Sequence, residues 1–206
     1  MEISERLIDA QRAHSLHRLA WLLYVDGQLD AAEETASRSI DLADNFDQSL
    51  VCQCHRLLGN IYSSKDETEK AVDHLEAALS VAASFGGYLH QFWIHHSLAR
   101  LFSYQGRFDA SQAHIEHTKS YAINNTYLMG RVMYLQAVVW YHYGKLGEAR
   151  SEALCAANVF EKLGATGDLE MCGDLLRDTE EQVGALASEG ELPGTVLIPA
   201  RVNFPP

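Results

Sequence analysis

The stretch from Leu57 to Ala83, LLGNIYSSKDETEKAVDHLEAALSVAA, decides how this chain folds. Apolar and small residues recur in it at three- and four-residue spacing, which is the spacing of one face of an α-helix. The short polar segment Ser63–Asp66 divides the stretch, so we expect two helices that fold back on each other as an antiparallel hairpin. A hairpin with one apolar face cannot bury that face alone. The pattern therefore predicts neighbouring hairpins of the same kind.

Three further copies of the pattern are present in the chain. Two small residues mark the expected helix crossing in each copy, and both recur at successive spacings of 39, 40 and 38 residues. The first series is Ala20, Gly59, Ala99 and Ala137, the second is Ala32, Ala71, Ser111 and Ala149, and residues of the connecting turns, Gly27, Asp66, Gly106 and Gly144, keep the same intervals. Agreement in register over four copies indicates a repeat architecture.

The repeat resembles the tetratricopeptide repeat family, over roughly residues 13–163. Its motif positions are filled by Leu19, Leu23, Leu29 and Ala32, by Leu58, Gly59, Tyr62 and Ala71, by Leu98, Phe102 and Phe108, and by Trp140, Leu146 and Ala149. The family's period is about 34 residues, so each copy here carries roughly one extra helical turn. Copy three departs from the family with Ser111, Thr118 and Lys119 at positions that are usually small or apolar. The resemblance implies an all-α fold, a right-handed superhelical solenoid of about four antiparallel helix hairpins plus a C-terminal capping helix.

A second resemblance concerns the stretch Ser151–Glu181, SEALCAANVFEKLGATGDLEMCGDLLRDTEE. It is similar to the last repeat and capping helix of the tetratricopeptide arrays in fungal signalling ATPases of the nucleotide-binding, innate-immune-receptor-like class. In those proteins the array is the sensor portion. The resemblance therefore implies a sensing or scaffolding role.

We expect the repeat domain to occupy residues 1–187, and residues 188–206 to form a tail. The expected repeats are 13–46, 49–84, 88–123 and 127–163 with a polar-faced cap at 168–187, and the expected helices are 2–26, 30–45, 49–64, 67–84, 88–104, 108–123, 127–143, 147–163 and 168–187. The tail carries the apolar segment Gly194–Pro199 and ends in Phe204–Pro206. It can be disordered, pack on its own array or contact a neighbouring molecule.

Composition and charge restrict the class of protein. The 206 residues are 47% hydrophobic, which is enough to bury a single core, and no run approaches the roughly 18 apolar residues of a membrane span. The chain starts with an acidic segment where a secretory signal would be basic and then apolar, so we expect a cytoplasmic protein. The formal charge of −12 and the lack of a basic run argue against nucleic acid, and the acidic residues are typical of a solvated outer face.

Catalytic and metal-binding functions find little support in the sequence. It has no G-x-x-x-x-G-K-[ST], no G-x-S-x-G and no H-E-x-x-H motif. Cys52 and Cys54 lie two residues apart on an expected helix and so point to different faces, and nothing completes a tetrahedral ligand set around His114 and His117. We therefore expect no enzyme, no cofactor and no metal. An unrecognised metal-dependent enzyme is the remote alternative.

The concave groove, lined by the first helix of each hairpin, is the expected site of function. Relative to the small anchor residue, groove-facing positions lie six and three residues before it and one and four after it. None of the sixteen positions that this rule selects is acidic, three are Arg, three are His and five are Trp or Tyr. Our predicted partner-binding residues are His17, Trp21, Arg56, Asn60, Trp93, His96, Arg100, Arg131, Tyr134 and Tyr141. A cationic, aromatic groove favours a protein or peptide segment that bears carboxylates or phosphates.

Two other interpretations of the same residues remain open. Aromatic residues at these offsets can be buried where the array coils. The chain can also be a structural, self-assembling array whose tail mediates homo-oligomers or masks the groove. Arg56 and Asn60 resemble the carboxylate-clamp pairs of chaperone-binding repeats, but Trp93 and Ser97 stand where the clamp has basic residues, so a chaperone C-terminus is not expected.

Overall fold

The computed structural model describes residues 2–43 and 46–189 of the chain. These residues form nine α-helices and no β-strand: α1 (Glu2–Val25), α2 (Leu29–Ala43), α3 (Gln48–Ser64), α4 (Thr68–Ser84), α5 (Tyr88–Tyr104), α6 (Phe108–Ala122), α7 (Thr126–His142), α8 (Leu146–Leu163) and α9 (Thr166–Glu189). The predicted all-α helical-repeat fold is confirmed. Every helix end lies within two residues of its predicted position.

The chain divides into two compact units, and the boundary lies within α5, between Ser97 and Leu98. The first unit contains α1 to α4 and the start of α5, and the second contains the remainder of α5 and α6 to α9. α9 continues through Glu189, two residues into the segment that we assigned to the tail. The rest of the predicted tail, residues 190–206, lies outside the described residues.

The turn inside each hairpin has the same backbone geometry. Gly27, Asp66, Gly106 and Gly144 have positive φ angles of 77°, 65°, 69° and 73°. The residue that follows each of them donates its N–H to a carbonyl oxygen five residues earlier at 2.9 Å: Gln28 to Leu23, Glu67 to Tyr62, Arg107 to Phe102 and Lys145 to Trp140. These bonds satisfy carbonyl groups that the end of a helix leaves open. The predicted turn register is therefore confirmed in all four hairpins.

The two helices of a hairpin cross at the predicted small residues, all of which are buried. A Cβ atom added to Gly59 would lie 2.5 Å from Cγ of Leu75, so the helices approach too closely there for a larger side chain. In copy three, the buried Ser111 hydroxyl donates to the carbonyl oxygen of Ala99 at 2.7 Å. This hydrogen bond explains how a polar residue is accommodated at a crossing position.

The capping helix α9 completes the core of the second unit. Cys172 and Leu175 of α9 pack with Tyr134 of α7 and with Ala153 and Phe160 of α8, and all five are buried. Arg131 of α7 pairs with Asp168 at the start of α9. α9 thus covers the last repeat as a cap.

None of the nine helices is long and apolar enough to cross a membrane, within residues 2–43 and 46–189.

Candidate functional site

A cavity of about 340 Å³ opens between α3 and α5 in the first unit. We call it the α3–α5 cavity, and its lining residues are Cys52, Gln53, Arg56, Leu89, His90 and Trp93. The lining combines one guanidinium, one amide, one imidazole and one indole with two less polar side chains, and it contains no carboxylate. Such a surface offers hydrogen-bond donors together with an aromatic wall.

Capping at the start of α3 fixes the helix that carries half of this lining. The Asp47 carboxylate accepts the backbone N–H of Leu50 at 2.9 Å, and its other oxygen lies 3.1 Å from Nε2 of His14. Both oxygens of Asp47 are therefore engaged. Gln53 and Arg56 follow one turn apart on α3 and reach the cavity from the same side.

Aromatic contacts position the α5 side of the cavity. The Trp93 ring lies edge-on to Phe92 at 5.0 Å and 5.6 Å from the ring of His96. The His90 ring meets Phe85 edge-on at 5.4 Å, and its Nε2 lies 3.0 Å from Oγ of Ser49 on α3. These contacts hold the indole and the imidazole in defined orientations.

Arg56 sets the electrostatics of the site. Burial, followed by the nearby Arg56, lowers the pKa of His17 to about 4. Burial and then Arg56 also lower the pKa of His90, against the opposing carboxylate of Asp47. Both imidazoles are neutral at pH 7, so Arg56 supplies the positive charge of the cavity. A neutral imidazole still offers one N–H donor to a ligand.

Exposed apolar side chains border the α5 part of the cavity lining. Phe85, Tyr88 and Leu89, at the junction of α4 and α5, expose 41%, 65% and 44% of their surface. Leu89 also lines the cavity, so the apolar border is continuous with the polar interior. The arrangement can accept an acidic group at Arg56 and apolar contacts at the border in the same segment.

The structure brings some of the predicted binding residues of the first unit together. Arg56 and Trp93 line the same cavity, and His17 on α1 is half-buried close to Arg56. Trp21 is 40% exposed on α1. Asn60 and His96 expose only 7% and 6% of their surface and are therefore buried.

Sequence reasoning missed two residues of the cavity on α5. Leu89 and His90 lie ten and nine residues before the anchor Ala99, whereas our rule started six residues before it. Continuing the helical stripe by one turn toward the N-terminus of α5 would have found Leu89, next to His90. Cys52 also lines the cavity, and burial raises the pKa of its thiol to about 11, so it remains a protonated small hydrophobe.

In the second unit, the predicted residues of α7 face the cap. Nη1 of Arg131 lies 2.6 Å from Oδ1 of Asp168 on α9. Tyr134 and Tyr141 expose 3% and 6% of their surface and belong to the core that α7, α8 and α9 share. The reason is that α9 occupies the surface that the offset rule treated as groove. Arg100 is partly exposed and lies close enough to His142 to contribute to the lowered pKa of that imidazole.

The family model of the tetratricopeptide repeat matches residues 50–122, from the start of α3 to the end of α6. This segment is similar to tetratricopeptide repeats. The whole α3–α5 cavity lies within this segment. Tetratricopeptide repeats generally mediate protein–protein interaction. No curated protein matches the sequence.

Proposed function

We propose that the chain is a non-catalytic module that binds an anionic segment of a partner protein at the α3–α5 cavity. An acidic side chain of the partner pairs with Arg56, and a neighbouring apolar side chain packs on Trp93 and Leu89. The observation that carries this proposal is the cavity of about 340 Å³ in which Arg56 and Trp93 meet without a lining carboxylate.

The chemistry of the lining fits a carboxylate better than other ligand groups. The planar guanidinium of Arg56 offers paired N–H donors that match the two oxygens of a carboxylate or phosphate. Gln53, His17 and His90 add neutral donors around it. Arg and Trp are also the residues that contribute most binding energy at protein interfaces. A cavity of this size suits one or two side chains of an extended segment.

The net charge of −12 does not prevent such binding. At physiological ionic strength, charges that lie more than about 8 Å apart are largely screened, so distant carboxylates act weakly on a ligand at Arg56.

Selection from a displayed library of random 16-residue peptides tests the proposal with the full chain. We expect enriched peptides that combine Asp or Glu with Leu or an aromatic residue. Arg56→Gln should weaken their binding by about tenfold or more, since a hydrogen bond to a charged group contributes about 1.5–3 kcal/mol. Trp93→Ala should weaken it comparably.

Arg150→Gln is the matched control, because Arg150 is exposed on α8 and its guanidinium pairs only loosely with Glu180, at 3.8 Å. Two results would contradict the proposal: enriched peptides without acidic residues, or equal binding by the wild type and Arg56→Gln.

The alternative role of the tail concerns residues 188–206. If the tail masks the groove, a chain that ends at Glu189 should bind the selected peptides more tightly than the full chain. Unchanged affinity after this truncation would rule out masking.

A further inference from the structure

α1 presents an apolar stripe to solvent in the first unit. Ile8, Leu19 and Leu22 expose 62%, 47% and 57% of their surface. With Arg12 and Ser15 they follow the alternating four- and three-residue spacing that keeps residues in line along a helix. We call the five residues the α1 stripe. Isolated apolar side chains on a surface are ordinary, but exposed apolar side chains that recur in one line along a helix mark a contact surface.

The corresponding surface is covered in the hairpins that follow another hairpin. In the first unit, Leu58 and Ile61 stand at the positions of Leu19 and Leu22 and expose only 1% and 0%. α2 covers them, and Sγ of Cys54, the counterpart of Ser15, lies 3.3 Å from Oγ of Ser39 on α2. The α1 stripe is therefore the surface on which the second helix of a preceding hairpin packs.

The second unit shows the same arrangement. Gln136 and Val139 of α7 stand at the positions of Leu19 and Leu22 and expose 6% and 2%. Gln136 exchanges hydrogen bonds with Gln112 of α6 at 3.0 and 3.3 Å. Within the first unit, no described helix provides this cover for α1, and Leu19 and Leu22 stay exposed.

We propose that the α1 stripe is covered by the α1 stripe of a second copy of this chain, with the two helices antiparallel. The α9 surface of a second copy cannot serve, because α9 caps the second unit and is polar outside. Exposed residues of α9 include Glu170, Asp174, Arg177 and Glu180, and Val183 is the one large apolar side chain exposed on its described part. Pairing of identical surfaces gives a closed two-fold dimer and not a filament.

Charge selects the antiparallel orientation. Arg12 lies toward the start of the stripe, and Asp26 follows directly after α1 in the same line. A parallel pair would set Arg12 against Arg12 and Asp26 against Asp26. An antiparallel pair centred on Leu19 instead sets Arg12 of each copy opposite Asp26 of the other, since both lie seven residues from Leu19. The contact then runs from residue 12 to residue 26, about 21 Å or four helical turns, and Ile8 lies beyond it.

Light scattering with in-line size exclusion tests this proposal on the full chain, over a roughly hundredfold range of concentration. We expect a dimer at the upper end. The double variant Leu19→Glu, Leu22→Glu should weaken dimerisation by about tenfold or more, because it buries unpaired carboxylates. Both residues are exposed, so circular dichroism and thermal unfolding should match the wild type. Leu154→Glu on α8, at a side chain that is 47% exposed, should leave the dimer unchanged.

A charge exchange tests the orientation. Arg12→Asp should weaken the dimer, and the double variant Arg12→Asp, Asp26→Arg should restore it.

A wild type that is monomeric at every concentration would overturn the proposal, and so would a dimer that survives Leu19→Glu, Leu22→Glu. A dimer that Arg12→Asp leaves unchanged would show that Arg12 does not face an acidic residue of the other copy, and one lost on truncation after Glu189 would show that the tail makes the contact. Both results overturn the proposal, and neither bears on peptide binding at the α3–α5 cavity.

Discussion

Arg131 on α7 and Asp168 in the first turn of α9 form a partly buried ion pair, with 2.6 Å between Nη1 and Oδ1. The two side chains expose only 12% and 16% of their surface. The Tyr127 hydroxyl donates to Oδ2 of the same carboxylate at 3.2 Å. A carboxylate in the first turn also interacts favourably with the positive end of the helix dipole. The pair therefore stabilises the packing of the first turn of α9 against α7.

Removal of Arg131 should destabilise the second unit. Arg131→Met leaves the partly buried carboxylate of Asp168 without its cationic partner. We therefore expect a loss of about 2–4 kcal/mol in the free energy of unfolding, measured by urea denaturation. Arg177→Met breaks an exposed pair with Asp174 and should cost at most about 1 kcal/mol. The affinity of peptides selected on the α3–α5 cavity should not change in either variant. Equal destabilisation by the two variants would contradict this role of Arg131.

The repeat register could be predicted from sequence because every copy obeys it. The small residues at the crossings and the left-handed turn residues recur at fixed intervals, and both follow from local sterics. The exposure of the groove-facing positions could be predicted less well in the last copy. Periodicity gives the direction in which Tyr134 and Tyr141 point from α7, but it does not reveal that α9, which has no counterpart in earlier copies, lies over them.

For the cavity as well, the sequence predicts which way single side chains point but not how the two helices pack. The helical offsets placed Arg56 and Trp93 on the same face, and the structure has them in one lining. Their meeting in a cavity depends on how the side chains of two helices fill the space between them. His90 also lines the cavity, but it lies in the first turn of α5, before the groove-facing positions that the offset rule selects in each copy.

Gly59→Ala should destabilise the first unit. The added Cβ would lie 2.5 Å from Cγ and 2.8 Å from Cδ2 of Leu75, so the helices must separate or Leu75 must leave its rotamer. We expect a loss of about 1–3 kcal/mol by urea denaturation. Gly173→Ala is the control, since Gly173 is helical and exposed with open space around it, and it should stabilise by about 0.5–1 kcal/mol. Stabilisation by both substitutions would contradict the close crossing at Gly59.

Acidification should destabilise the second unit through His142. This side chain is 2% exposed, and burial, with a contribution from Arg100, lowers its pKa from 6.5 to about 4. As the pH falls, the unfolded chain takes up the proton before the folded chain does. The stability that neutral His142 contributes is therefore complete above about pH 6.5 and lost toward pH 4, with about 2 kcal/mol lost by pH 5.

Urea denaturation at pH 7.5 and pH 5 measures this loss. His142→Asn keeps a polar group near Oγ of Ser103, which lies 3.1 Å from Nδ1 of His142, and should reduce the difference between the two pH values by about 2 kcal/mol. The same substitution at the exposed His117 controls for the loss of a histidine. An unchanged difference in His142→Asn would show that His142 does not control this pH dependence.

Binding of an acidic peptide at the α3–α5 cavity should tighten as the pH falls from 7.5 to 5.5. In the free protein, burial and Arg56 hold the pKa of His17 at about 4 and lower that of His90. A bound carboxylate offsets the charge of Arg56 and raises both pKa values, so the complex takes up protons that the free protein does not. Because binding is linked to proton uptake, we expect an affinity gain of about three- to tenfold, measured by fluorescence polarisation with a selected peptide. The peptide's own carboxylates stay largely ionised over this range, since the ordinary pKa of Glu is about 4.3.

The double variant His17→Gln, His90→Gln should bind with little dependence on pH, whereas His117→Gln should behave as the wild type. Affinity that falls on acidification, or an equal gain in the double variant, would mean that the ligand's charge does not lie beside these two imidazoles.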